Sequence, residues 1–462
     1  MSMHTISRLA VCAVLPATLL AGCSDWLTTK NATSNPNFPT VAGTNQLITA
    51  IEVGQTAYLT GDLDRLFMMW MQQAGGSDRQ YVPYANYVYD EDAFSPDWTS
   101  AYTGGGLIDM RTAEQQALTE GDSITAGIAY TLEALDIGET TTVWGDIPYS
   151  QAVSNVLQPA LDPQQQVYAE VQAKLDTALT LLACTNALCV GPGAADLWAN
   201  GDPTVWAPVA HTLKARYYLH TVLRDPTAAA SAATQAALGI PDASHNLETY
   251  QSTNPNERNL FYQFMVLQRS GYMSAGGFLV DLLTSTHDPR LTKYFSKNSA
   301  GVYHGVPAAG GPGDYSTFAG LNTTDTSLAG APNQRVPLVT YAENQLILAE
   351  ADLRSGNPGG ATAAYNAERT SQGVPTASGT VTLQQVITEK YIADFFNGFE
   401  TWEDWKRTCL PAITPAPGTA GIPGRILYPL STERNANSNI PAPNAQPALN
   451  WDTPTACAGN AG

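Results

Sequence analysis

Apolar residues return every three or four positions along several stretches of this 462-residue chain, a spacing that restricts most of it to amphipathic helices. From Gln165 to Ala183, the residues Val167, Val171, Leu175, Ala178, Leu179 and Leu182 share one helical face. Trp206, Val209, Leu213 and Tyr217 repeat the pattern, with Pro203 before it and Asp225-Pro226 as its stop. Ala342, Leu346, Ala349 and Leu353 form another face, which ends at Gly356-Asn357-Pro358. A shorter helix is predicted from Gly360 to Ser371, carrying Ala361, Tyr365 and Ala367, and Leu383, Ile387, Tyr391 and Phe395 predict a further long one. The segments 70–106 and 299–337 are rich in Gly, Pro, Asn and Thr and read as long irregular loops. Loops of that length are usually functional or disordered, and their aromatic content argues for order and function.

The start of the chain reads differently. Arg8 precedes an apolar run from Leu9 to Leu20, too short to span a bilayer as a helix, and Leu20-Ala21-Gly22-Cys23 follows. This ending resembles the lipobox of bacterial lipoproteins. The resemblance implies removal of residues 1–22, lipid on Cys23, and a membrane attachment through two or three acyl chains, since one chain holds weakly. Ser24 and Asp25 resemble the pattern of lipoproteins sorted to the outer membrane. Residues 24–42 are rich in Thr, Asn, Ser and Pro and read as a flexible stalk, with Trp26 and Leu27 the exception. The expected organisation is therefore a signal over 1–22, a lipidated tether over 23–45 and one domain over 46–462, with no composition break inside it.

The formal charge of −19 argues against nucleic acid and anionic lipid headgroups as partners and suits a neutral or cationic ligand. Four cysteines remain once Cys12 leaves with the signal and Cys23 is lipidated. Cys184 and Cys189 flank Thr-Asn-Ala-Leu and form the natural short loop, which leaves Cys409 to pair with Cys457. No zinc spacing surrounds them, and no metal or cofactor is expected.

Several motifs carry a family resemblance. Gly145-Asp146-Ile147-Pro148-Tyr149-Ser150-Gln151-Ala152, then Val167-Tyr168 heading a helix, looks like an element of SusD/RagB-type outer-membrane nutrient-binding lipoproteins. Asp196 through Gly201-Asp202, with Trp206 and Leu213-Lys214-Ala215-Arg216, is similar to a second. Asp288-Pro289-Arg290-Leu291, Tyr341-Ala342-Glu343, Phe399 to Arg407, and Arg425-Ile426-Leu427-Tyr428-Pro429 follow in the family's order. The resemblance implies a mostly α fold in which tetratricopeptide-like helix pairs are the scaffold and long irregular loops bind ligand. It also implies a surface-exposed lipoprotein, no enzyme, that captures oligosaccharides or peptides and passes them to a SusC-like TonB-dependent transporter.

The motif residues themselves have structural readings. Gly145-Asp146-Ile147-Pro148 reads as a turn with a capping Asp. Trp402, Trp405, Lys406 and Arg407 read as packing at a helix end, and Glu400, Glu403 and Asp404 as a local acidic patch rather than carboxylates facing across a cleft. His211 and His220 read as core or interface residues, and none of the five histidines after the signal lies in a zinc-protease motif. No nucleophile elbow or phosphate loop occurs, so an envelope-anchored glycan hydrolase and a protein-assembly lipoprotein are the lesser readings. Ligand contacts are expected from Trp70, Arg79, Tyr81, Tyr84, Tyr87 and Trp98, with Trp98 and Trp70 as leading stacking platforms. The second loop adds Tyr303, His304, Tyr315, Phe318, Asn333 and Arg335.

Overall fold

A computed structural model describes residues 42–311, 315–322, 331–455 and 457. Cys23, the signal and the tether lie outside them, apart from the tether's last residues. The helices are α1 Thr44–Leu59, α2 Asp62–Trp70, α3 Tyr81–Ala85, α4 Ser95–Tyr102, α5 Leu107–Glu120, α6 Ser123–Trp144, α7 Gln164–Leu182, α8 Pro203–His220, α9 Ala228–Ala236, α10 Gly277–Ser285, α11 Arg290–Tyr294, α12 Tyr341–Arg354, α13 Pro358–Ser371, α14 Leu383–Ala393 and α15 Gly398–Thr408. Six short strands pair as antiparallel ribbons: β1 Ala74–Gly76 with β3 Met273–Ala275, β2 Leu247–Glu248 with β6 Pro337–Val339, and β4 Phe295–Ser296 with β5 Gly320–Leu321.

The scaffold is a run of helices each packed on the next: α5 on α6, α6 on α7, α7 on α8, α8 on α9, α9 on α12, and α12 on both α13 and α14. The mostly α, tetratricopeptide-like reading is correct. Small residues allow the close crossings. A Cβ at Gly138 of α6 would meet the Tyr217 ring of α8 at 2.1 Å, and alanines fill the contact of α8, α9 and α12.

Two readings need correction. The segment 70–106 is not a loop throughout, because it contains β1, α3 and α4. Phe395 does not extend α14, which ends at Ala393; the chain turns there, and Phe396 takes a left-handed φ of 72°. The helix α6 escaped the periodicity because it is buried on nearly every side and so shows no polar face.

The motif residues build the frame. Gly145 ends α6 at φ 76°, and Asp146 Oδ1 accepts from Gln164 N at 2.8 Å, so this turn caps α7. Asp162 holds the following Tyr149 and Ser150 amides at 2.9 and 2.6 Å. Asp196 accepts from Trp198, Ala199 and Gly201 amides and from Trp206 Nε1 at 2.7 Å, fixing the approach to α8. Glu400, Glu403 and Asp404, read as a local acidic patch, are interleaved with cations. All three are buried: Glu400 takes His220 at 3.2 Å, Glu403 takes Lys406 at 2.6 Å, and Asp404 takes Lys390 at 2.8 Å and Arg407 at 2.6 Å. Arg216 joins this network through Glu139 and Glu343 at 2.8 and 2.7 Å. Each charge is paired, the condition under which ions stay buried. Cys184 is bonded to Cys189, and Cys409 to Cys457.

Candidate functional site

The two long segments meet away from the helix pairs. Ribbon β1–β3 joins them: Ala275 N donates to Ala319 O at 2.8 Å, Val306 N to Ala275 O at 2.8 Å, and Gly311 N to Gly76 O at 3.0 Å. Asn86 Nδ2 adds a bond to Ala309 O at 2.7 Å. Gly75 is required at this crossing, since a Cβ there would lie 2.3 Å from the Val306 side chain.

An aromatic strip lies over this junction. Tyr81 is its buried base, 5.8 Å from Tyr84, 5.0 Å from Phe264 and 6.0 Å from Tyr272 between ring centroids. The Tyr81 hydroxyl accepts from Arg65 Nε at 3.1 Å, and the Arg65 guanidinium also sits 4.4 Å over the Phe264 ring. Burial, reinforced by the Asp62 charge, pushes the Tyr81 phenol up even against Arg65, so it stays neutral. Tyr84, Phe264 and Tyr272 are half-buried, and Arg269 lies 5.8 Å from the Tyr272 ring. A cavity of about 310 Å³ continues the strip from Met265 to Phe318, with Lys297 and Asn298 among its walls. Beyond it the exposed His304 stacks on Phe318 at 5.7 Å, and Lys297 Nζ lies 5.6 Å from the half-buried Tyr303 ring. Flat apolar faces interleaved with cations and amides suit an extended, uncharged polar ligand.

The expected site residues divide. Trp70 and Trp98 are 0 and 1 % exposed and cannot present an indole face. Trp70 packs against Tyr87 and Trp402 and donates Nε1 to Tyr84 O at 3.0 Å; Trp98 packs against Trp144 and Tyr428. Both are core, because the largest apolar surfaces gain most from leaving water. Tyr81 supports the strip from beneath. Tyr87 is pinned by its hydroxyl, which accepts from Ala416 N at 3.1 Å. Arg79 is exposed at the edge and pairs with Asp78 at 3.5 Å. Arg335 is committed to the carbonyls of Thr249, Trp198 and Glu248 at 2.8, 2.9 and 3.0 Å, and lines a separate cavity of about 250 Å³. Asn333 is exposed, and the Tyr315 side chain lies outside the described residues. Phe264, Met265, Arg269 and Tyr272 were missed. Their only signal was the aromatic run Phe261-Tyr262-Gln263-Phe264, which lies outside both long loops.

The long, aromatic-lined segments are thus carried on a scaffold of helix pairs. Residues 36–370 match the family described as starch-binding and associating with the outer membrane, and residues 370–426 match SusD and RagB outer membrane lipoproteins. The chain belongs to the SusD-like family. No curated protein matches the sequence. Among solved structures, a SusD/RagB family protein from Bacteroides thetaiotaomicron is similar at 18 % identity and a TM-score of 0.73, over 90 % of this chain and 100 % of that one. A chitin-binding SusD homologue from Flavobacterium johnsoniae gives 19 % and 0.73 over 89 % and 99 %, and a SusD homologue from Bacteroides fragilis 20 % and 0.70 over the same shares. These identities speak for the fold alone.

Proposed function

We propose that this protein is a lipid-anchored, outward-facing component of the outer membrane that captures an oligosaccharide, and hands it to a SusC-like TonB-dependent transporter. A peptide is the lesser choice of ligand. The supporting observation is the half-exposed aromatic strip of Tyr84, Phe264, Tyr272 and Phe318 at the junction of the two long segments. The chitin-binding relative favours a glycan, and the family descriptions favour the outer membrane. On this reading, residues 1–22 are removed, Cys23 carries the lipid, 23–45 form the tether, and the remainder binds. A hydrolase would need two carboxylates facing across a cleft, whereas Glu400, Glu403 and Asp404 are each held by a buried cation.

The test uses soluble protein beginning at Ser24 on a glycan and peptide array, followed by titration of Tyr272→Ala against the best ligand. Loss of a stacking ring should weaken binding by about 1–3 kcal/mol with the melting temperature unchanged. Unaltered affinity in Tyr272→Ala and in Phe264→Ala would remove the strip as the site. Release of a shortened product would favour the hydrolase instead.

A further inference from the structure

The cavity of about 250 Å³ that Arg335 lines shares no wall residue with the strip. It lies close by, however. Asn259, in its wall, opens the helical turn that carries Phe264 into the strip, about 8 Å further along at an α-helical rise. Three buried aromatic residues, Tyr294, Phe395 and Phe396, also line it. Phe395 lies 4.4 Å from both Tyr294 and Phe396, and Phe261 packs on Phe396 at 4.5 Å. Phe396 is held at φ 72°, a conformation that costs a bulky residue energy and persists where the surroundings over-determine it, as they do at ligand clamps.

The charged groups of the wall remain accessible. The Arg335 side chain is 40 % exposed and that of Glu248 34 %, with Nε and Oε2 4.0 Å apart. The three carbonyls that hold Arg335 take its Nε and Nη2. The guanidinium is therefore fixed in place, while Nη1 makes no hydrogen bond among the described residues. Burial lifts the Glu248 carboxyl above its ordinary range even though Arg335 opposes the shift. A perturbed acid beside a fixed cation in a recess is a mark of recognition groups. Tyr341 and Gln372, both half-buried, add a hydroxyl and an amide to the wall.

We infer that this cavity is a pocket for one neutral hexopyranose unit. Arg335 and Glu248 cancel in charge and set a donor beside an acceptor; one sugar hydroxyl answers both, accepting from Nη1 and donating to the carboxylate. The volume falls just below the about 300–1,000 Å³ usual for drug-sized ligands, which suits a single ring, and the aromatic walls suit its C–H face. By gripping the hydroxyls of one unit, the pocket selects among chains that a flat strip accepts alike. The choice of a sugar rests on the proposed function; the cavity and its groups do not.

Calorimetric titration of the Ser24-start protein with glucose, galactose and N-acetylglucosamine tests this. One of the three should bind the unaltered protein and Tyr272→Ala alike. It should bind at least tenfold more weakly to Glu248→Ala and to Ala393→Met, which fills the cavity from α14 without removing a polar group. Melting temperatures should be unchanged; the two variants alter different elements, so if one loses stability the other decides. A sugar whose affinity is indifferent to both variants would overturn this inference and leave the proposed function standing. So would an oligosaccharide bound at the strip with none of the three monosaccharides bound. Binding of no saccharide, on the array or in the titrations, would overturn both. Glu248-dependent binding of glycylglycine, a zwitterion, with none of the sugars would overturn the carbohydrate assignment.

Discussion

Glu52 of α1 is buried beside Asp196, and its Oε2 accepts from Leu197 N at 2.6 Å. Burial, and then the neighbouring Asp196, push its carboxyl up to about 11. The folded chain thus keeps a proton that the unfolded chain releases above the ordinary carboxyl range. The stability this contributes is complete below that range and falls steadily as pH rises toward 11. Glu52→Gln keeps an acceptor for Leu197 N and a donor toward Asp196 but has no proton to lose. The variant should therefore gain melting temperature over the parent as pH is raised from 5 to 8. Thermal scans at several pH values check this; a constant offset would mean that Glu52 is ionised in the fold.

The helix α15 shows how one element serves several regions. Its Trp402 stacks on Phe67 of α2 at 4.2 Å, while Arg407 joins it to Glu350 of α12 at 2.8 Å. Burial would raise the Glu350 carboxyl, but the Arg407 and Arg354 guanidiniums outweigh that and hold it at about 2. This contribution is present above the ordinary carboxyl range and is lost as pH falls toward 2. The helix ends at Cys409, whose bond to Cys457 closes a loop with a sequence separation of 48. On the chain-entropy account, such a loop contributes about 4 kcal/mol, less any strain. Replacing both cysteines with serine should lower unfolding free energy by up to that amount in denaturant titrations. The same replacement in Cys184 and Cys189, separated by 5, should cost less. Equal losses would assign the effect to packing.

At the scale of the whole molecule, the proposed anchor and the proposed binding strip lie in different parts of the chain. No helix among the described residues is long and apolar enough to cross a membrane. On the proposed lipid anchor, membrane retention depends on Cys23. Cys23→Ala should move the protein from the membrane fraction to the soluble one in its native host. Retention of that variant after a salt wash would place the anchor elsewhere or in a partner.

The sequence alone determined the class of fold, because helix faces, prolines and capping residues act locally. Asp146 reads as the capping residue of a turn, and in the structure it accepts from the first amide of α7, while Pro203 before the Trp206 face marks the start of α8. Only the tertiary structure decided what the aromatic residues do. Trp70, Trp98, Tyr84 and Tyr272 are alike in composition, and burial depends on neighbours far away in the chain: Trp402 covers Trp70, and Trp144 with Tyr428 covers Trp98. Tyr272 and Phe264 lie nearly two hundred residues beyond Tyr81 in sequence, yet meet it because β1 pairs with β3. The acids of α15 read as a local acidic patch for the same reason: besides Lys406 and Arg407 of their own helix, the cations Lys390, His220 and Arg216 arrive from α14 and α8, and long-range packing leaves no local trace in spacing or composition.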